Sequence, residues 1–366
     1  MIFCANPSAQ FKTYQSEIEA AVLKVMRSNQ YVLGEEVDSL EQEFASYIGV
    51  SHAIGVANGT DALELSMRAL DIKPGDEVIT VSHTAVATVA AIESLGAIPV
   101  LVDVEQDFYT LDPAKLSEAM SKKTKAVIAV HIYGQSANLE DISNFCIQNK
   151  LFLIEDVSQA HGAKWNGSRL GSIGDIATFS CYPTKNLGAI GDAGLVATKD
   201  SALAKKVRML REYGWENRYV SEFPGRNSRL DELQAAIFRI KLKGLDRDNK
   251  KRRQIAKIYQ ESLTGLDFHL PKVRKGAEHV FHLYVLRCNF QQNLIEDLKK
   301  DRINLGIHYP LAVHQQNAYI NRVKASSMEI TEQLSRQVVS LPIYPELPLS
   351  DAHQVSAAIR AWVESQ

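Results

Sequence analysis

Cysteine is scarce and unpatterned in this chain. Cys4, Cys146, Cys181 and Cys288 lie far apart, with no paired spacing for a zinc site or a redox couple. A reducing compartment, and hence a cytoplasmic protein, is expected. No apolar run approaches the roughly 20 residues that a membrane span needs. Nor does a basic segment followed by an apolar one open the sequence. An excess of either charge is also missing, since 41 basic residues face 43 acidic ones. That balance gives no reason to expect a nucleic-acid or membrane-surface partner. The one basic run, Lys250-Lys251-Arg252-Arg253, shares helical periodicity with Ile255, Ile258 and Tyr259 and reads as a solvated helix face. Repeats and low-complexity linkers are absent. What remains is a chain of 366 residues, long enough for one large or two ordinary domains.

Two periodicities alternate along the first two-thirds of it. Val37, Leu40, Phe44 and Ile48 recur at helical spacing, as do Leu63, Met67 and Leu70 after Asn58-Gly59-Thr60. Between such segments lie short, continuously apolar, β-branched runs: Val78–Val81, Ile98–Val102, Ala126–Val130, Leu151–Ile154, Ile176–Phe179 and Gly194–Ala197. Strands buried on both faces of a mainly parallel sheet read this way. The fold class expected is therefore α/β. A long helical stretch follows from Leu230 to about 260, then a strand-like run His282–Arg287 and a helix ending near Lys300. These predict a large domain over 1–245, including the N-terminal segment, and a smaller α+β domain over 246–366.

Ligands of an open parallel sheet bind beyond the carboxyl ends of its strands. Asp156 falls there, after the run Leu151–Glu155, and Ser180 falls there after Ile176–Phe179. Lys185 follows on the next loop. Asn58-Gly59-Thr60 leads into a helix, and a glycine-preceded helix N-terminus is a ready phosphate site. A phosphate cup, a carboxylate, a hydroxyl and a lysine thus converge on one sheet edge. Pyridoxal phosphate chemistry needs a Schiff-base lysine and a carboxylate on the pyridine nitrogen, and Lys185 with Asp156 matches both needs.

The residues around these two positions resemble the DegT/StrS-type nucleotide-sugar aminotransferases, pyridoxal phosphate enzymes of the aspartate aminotransferase fold (fold type I). The resemblance is carried by Ile154-Glu155-Asp156-Val157-Ser158-Gln159-Ala160-His161-Gly162, by Phe179–Gly188, and by Gly191-Asp192-Ala193-Gly194. It extends through Asn58–Leu63, His131–Gln135, Asn227–Ala236, Gly306–Pro310 and Leu341-Pro342, nearly the whole chain. It implies that Lys185 carries the cofactor, Asp156 meets the ring nitrogen and Gln159 approaches the ring hydroxyl. Ser180 and the amides of Gly59 and Thr60 would hold the phosphate. Asn227 would reach the phosphate of a neighbouring subunit's cofactor, which makes a homodimer with shared active sites the expected assembly. His308, Tyr309 and Tyr182 would line the sugar pocket.

Where the family usually stacks an aromatic residue on the cofactor ring, this chain has Ala85 in Ser82-His83-Thr84-Ala85-Val86. Either His83 supplies that contact or the ring face is covered differently. His308 and His314, six apart around a proline and without a carboxylate, do not suit a metal. His161 is assigned no catalytic role. The reaction implied is transfer of the amino group of L-glutamate to a nucleotide-linked keto-sugar. Tyr182-Pro183 before the lysine and Asn186-Leu187-Gly188 after it resemble members acting at a 3-keto group, so a dTDP-3-keto-6-deoxyhexose is the favoured acceptor. Alternatives are a 4-keto or UDP-linked sugar, an aminohydroxybenzoate synthase-like reaction, or a regulator of the same fold. A regulator should have lost Lys185, Asp156 or the phosphate cup, and a dehydratase branch carries histidine in place of the lysine.

Overall fold

Eight strands form one sheet in the computed structural model, which describes residues 1–365. In chain order the first seven are β1 (His52–Val56), β2 (Glu77–Val81), β3 (Ile98–Val102), β4 (Thr124–Val130), β5 (Phe152–Asp156), β6 (Ile176–Ser180) and β7 (Gly194–Thr198). Later come β8 (Tyr284–Arg287), β9 (Lys324–Ala325) and β10 (Val338–Leu341). Across the sheet the order is β1-β7-β6-β5-β4-β2-β3-β9. Every pairing from β6 to β9 is parallel, while β7 runs against both β6 and β1. All six predicted strands of this sheet are present. Two members escaped the sequence reading: β1, which mixes His52 and Gly55 with its apolar residues, and the two-residue edge β9.

The register matters most where the strands stop. Val130 pairs with Asp156, and Asp156 with Thr178, so β4, β5 and β6 end side by side. Their last residues therefore open onto one edge. Helix α1 (Glu35–Ile48) and helix α2 (Gly59–Ala69) flank the sheet. Asn58 caps α2 through its side-chain oxygen, which accepts from the Asp61 amide at 2.8 Å.

Helix α3 (Glu232–Leu263) runs without a break past residue 245, the position expected to divide the chain. Its first half packs Ala235 and Phe238 on the sheet core. Its second half contributes Ile255 and Tyr259 to a separate core with Tyr284, Leu286, Leu341 and Trp362. Strands β8 and β10 pair antiparallel within this second layer. Ile2 joins the same core and bridges to Ile303, so the first residues pack with the C-terminal part rather than with the sheet. The basic run on α3 is not uniformly solvated either. Arg252 is buried, donating to the carbonyls of Ile343 (3.0 Å) and His282 (3.3 Å), because its position on the helix faces the seam between the two cores.

Helix α1 begins at Gly34, which has no side chain to cap it. Glu232 supplies the cap from the start of α3. Its carboxylate accepts from the amides of Gly34 (2.7 Å), Glu36 (3.0 Å) and Val37 (3.0 Å). All three amides would otherwise be unpaired donors of a helix end. Glu232→Ala is expected to lower the unfolding free energy by about 3 kcal/mol, the cost of orphaning charge-assisted bonds. Urea denaturation reads this directly. A midpoint unchanged from the native protein would mean that water replaces the carboxylate.

Candidate active site

A cavity of about 580 Å³ opens at the carboxyl edge of β4, β5 and β6. The first turn of α2 forms one wall, with Asn58, Gly59 and Thr60. The amides of Gly59 and Thr60 open the helix and have no intrahelical acceptor, so they present positive partial charge to the cavity. Gly59 also has no room for a side chain. A Cβ there would lie 2.8 Å from the Ser180 Cα, so only glycine lets α2 approach the end of β6 this closely. The Ser180 hydroxyl lines the same wall.

Asp156 is the last residue of β5 and is buried at the cavity floor. Its two carboxylate oxygens are held separately. Oδ2 accepts from the Thr88 hydroxyl and Oδ1 from the Ser158 amide, each at 3.2 Å. Gln159, three residues on, is fixed at both ends. Its Oε1 accepts from the Tyr133 amide at 2.7 Å and its Nε2 donates to the Tyr309 hydroxyl at 3.0 Å. The acid and the amide therefore have little rotational freedom.

Lys185 faces them from the loop after β6. Burial pushes its amine down from 10.5 to about 8, and the nearby Asp156 carboxylate opposes that shift. The loop itself is anchored by α3. Lys241 donates to the Gly188 carbonyl at 2.7 Å, and Asn249 accepts from the Asn186 amide nitrogen at 2.8 Å. With its Nδ2 committed there, Asn186 turns Oδ1 toward His282 Nδ1 at 3.1 Å. That oxygen can only accept, so His282 carries its proton on Nδ1 and presents Nε2 as an acceptor.

Nine of the ten residues anticipated for the site line this cavity: Gly59, Thr60, Asp156, Gln159, Ser180, Tyr182, Lys185, His308 and Tyr309. Asn227 does not. It is exposed, on a segment tied to α2 by Arg226, which pairs with Asp61 (3.2 Å) and Glu64 (2.7 Å). His83 is not the missing ring contact. Its imidazole is buried behind the wall, with Nε2 2.6 Å from the Tyr133 hydroxyl, while Ala85 and Thr84 are the residues that face the cavity. Its burial has a plain cause, since the ring packs edge-on against Tyr109 and Tyr133. His161 also stays outside the lining, packed against Phe179. Among the lining residues that were not anticipated are Thr88, Asp192 and His282. Asp192 stood inside a quoted motif, but Thr88 and His282 lie in a helix and before a strand, where nothing local marks them.

The donor set fits pyridoxal phosphate: two free helix amides and a hydroxyl for a phosphate, a fixed carboxylate for a ring nitrogen, and a buried amine for an aldehyde. Comparison with known proteins agrees. A profile described as the DegT/DnrJ/EryC1/StrS aminotransferase family matches residues 12–360. The dTDP-3-amino-3,6-dideoxy-alpha-D-galactopyranose transaminase of Aneurinibacillus thermoaerophilus is 46% identical over 349 residues, covering 95% of this chain and 96% of that protein. The dTDP-3-amino-3,4,6-trideoxy-alpha-D-glucose transaminase of Streptomyces venezuelae is 41% identical over 358 residues, covering 97% and 94%. Among solved structures, S. venezuelae DesV in complex with a ketimine intermediate superposes with a TM-score of 0.97 at 40% identity, covering 99% of this chain and 98% of that one.

The lowered lysine value gives a test that needs no cofactor. Competitive labelling of the cofactor-free protein with acetic anhydride should show Lys185 becoming reactive as pH rises through about 8. The neutral amine is the nucleophile, so reactivity grows above the midpoint and is lost below it. A midpoint near that of exposed lysines, roughly 10.4, would mean that burial does not tune this amine.

Proposed function

The chain belongs to the DegT/DnrJ/EryC1/StrS aminotransferase family, and on that basis we propose that it transfers the amino group of L-glutamate to a nucleotide-linked keto-sugar. The favoured acceptor is a dTDP-3-keto-6-deoxyhexose. Two relatives named as dTDP-3-amino-sugar transaminases, matched over nearly their whole length, support that choice over a 4-keto or UDP-linked sugar. The observation that carries the reading is that one cavity joins a buried amine, a fixed carboxylate and the open end of a helix. The cofactor is pyridoxal 5′-phosphate.

When bound, that cofactor supplies an aldehyde to hold the amine and a cationic ring that draws electrons from the carbon losing its proton. The rest is done by the chain. Gly59, Thr60 and Ser180 bind a phosphate through two amides and a hydroxyl. Asp156, clamped by Thr88 and Ser158, holds its carboxyl group at the cavity floor, where a ring nitrogen would meet it. Lys185, with its amine near 8, can both take up and release a proton at Nζ close to neutral pH. His308, Tyr309, Tyr182 and the acceptor Nε2 of His282 line the space left for the sugar. The nitrogen leaves L-glutamate, which departs as 2-oxoglutarate, and replaces the ketone oxygen of the sugar.

The proposal includes a homodimer in which Asn227 serves a neighbouring subunit's site. Its exposure outside its own cavity supports this. So does an exposed apolar surface around the start of α3. Val32 bridges to Asp231 there, Leu233 is exposed, and Gln234 bonds Ile190, itself 48% exposed. A cytoplasmic location is proposed too, supported by four unpaired cysteines.

The visible spectrum of protein reconstituted with pyridoxal phosphate tests the reading first. A band that bleaches on adding L-glutamate is expected, and indifference to glutamate would overturn the proposed donor. Lys185→Ala should abolish the glutamate response, because no other lysine among the described residues lines the cavity. Asp156→Asn should keep cofactor but transfer nitrogen roughly 100-fold more slowly, the scale of losing one fixed charge in a shielded site. Product analysis by NMR then decides between carbon 3 and carbon 4, and between dTDP and UDP carriers.

A further inference from the structure

On the far side of Tyr109 lies a second cavity of about 320 Å³, which shares no lining residue with the first. Gln106, Asp107, Gln260, His269, Lys272 and Arg287 supply its polar groups. Arg287 stands out among them. It ends β8, is only 3% exposed, and forms no ion pair among the described residues. Its Nη1 donates to the Gln106 carbonyl at 3.2 Å, and its Nε has no partner at all. The Tyr109 ring lies 5.9 Å from the guanidinium, and its hydroxyl, a neutral group, also meets it.

The acids nearby are committed elsewhere. Glu105 takes Arg274, and Asp107 takes Lys272 at 2.9 Å. His269 is pinned alongside Arg287 by a reciprocal pair of backbone bonds, each 3.0 Å. A buried guanidinium without an anion is costly, and most buried arginines escape that cost through a carboxylate. Here the chain leaves the cation without an ion pair at the wall of an open cavity, with the His269 imidazole and the Lys272–Asp107 pair also in the lining. Leu263, Phe268 and Leu270 add apolar side chains to the same lining.

We propose that this cavity is a second binding site, distinct from the transamination site, for a small oxyanion ligand that pairs with Arg287. A carboxylate or a phosphate matches the planar fork of the guanidinium, and each can be held bidentately. The volume admits a phosphate or a short dicarboxylate.

Calorimetric titration of the cofactor-saturated protein with sodium phosphate, and separately with sodium succinate, tests this. The cofactor's own phosphate then occupies the helix end in the first cavity. Saturable binding of either anion, weakened at least tenfold by Arg287→Met, supports the proposal, and the anion that binds identifies its chemistry. Arg287→Met can fail to fold, so Gln260→Trp is the companion variant. Gln260 is an exposed position on α3 at the cavity wall, and an indole there fills the space while leaving Arg287 in place. It should weaken the same binding at least tenfold without altering the response to L-glutamate. Absence of binding by both anions overturns the site. Binding that survives Gln260→Trp unchanged overturns it as well.

Discussion

One helix holds the reactive lysine in place. The loop from Cys181 to Gly188 has no regular structure, and a loop of that length drifts unless something fixes its backbone. Polar side chains of α3 do so from below. Lys241 bonds the Gly188 carbonyl, Asn249 bonds both Asn186 and the His161 carbonyl, and Arg252 ties the turn before β8 to the segment after β10. Glu232 at the start of the same helix caps α1. These groups are buried, so each bond is worth more than at the surface and each loss leaves an unpaired polar atom. Position of the lysine, attachment of the second core and entry of α1 therefore depend on one continuous helix. A cut at residue 245 would part the Lys241 anchor from the Asn249 anchor and sever the attachment of the second core.

The sequence made the central sheet legible because its strands are buried on both faces, which forces long apolar β-branched runs. Strands that are not so buried went unseen. In β9, Lys324 and Ala325 are exposed and carry no hydrophobic signal, while β1 reads as a mixed segment although most of it is buried. The polar helix α3 was visible as one periodic stretch, yet its two-sided role was not. Periodicity reports a buried face without saying which core each turn meets.

For the site, legibility followed chain locality. Asp156, Gln159, Ser180 and Lys185 lie on strand ends and adjacent loops, where position in the sheet already predicts direction. His83 shows the limit of that logic. It follows a strand end too, but the chain turns there, so the imidazole points behind the wall and Ala85 faces the cavity. His282 shows the opposite failure. It arrives from the second core, far along the chain, and only the folded hydrogen-bond network reveals that its Nε2 is the free acceptor. Asn227 is a third kind of case, because its own cavity is not where it points.

Three imidazoles lie near this amine, two of them in the cavity lining, and their protonation decides which group can move protons. Burial lowers His161 to about 3 and His308 to about 4, and the Lys185 charge adds to both shifts. His282 is driven well below the ordinary imidazole range by burial, again with help from Lys185. Near neutral pH none of the three carries a second proton. They therefore bring no positive charge that would push the lysine lower still, and they do not compete with it as acids. Asp156 is held in place by two donors. Lys185, shifted to about 8, is left as the cavity group whose protonation changes most readily close to pH 7. Selectivity for proton transfer at that one atom thus comes less from the lysine itself than from the dryness imposed on its histidine neighbours.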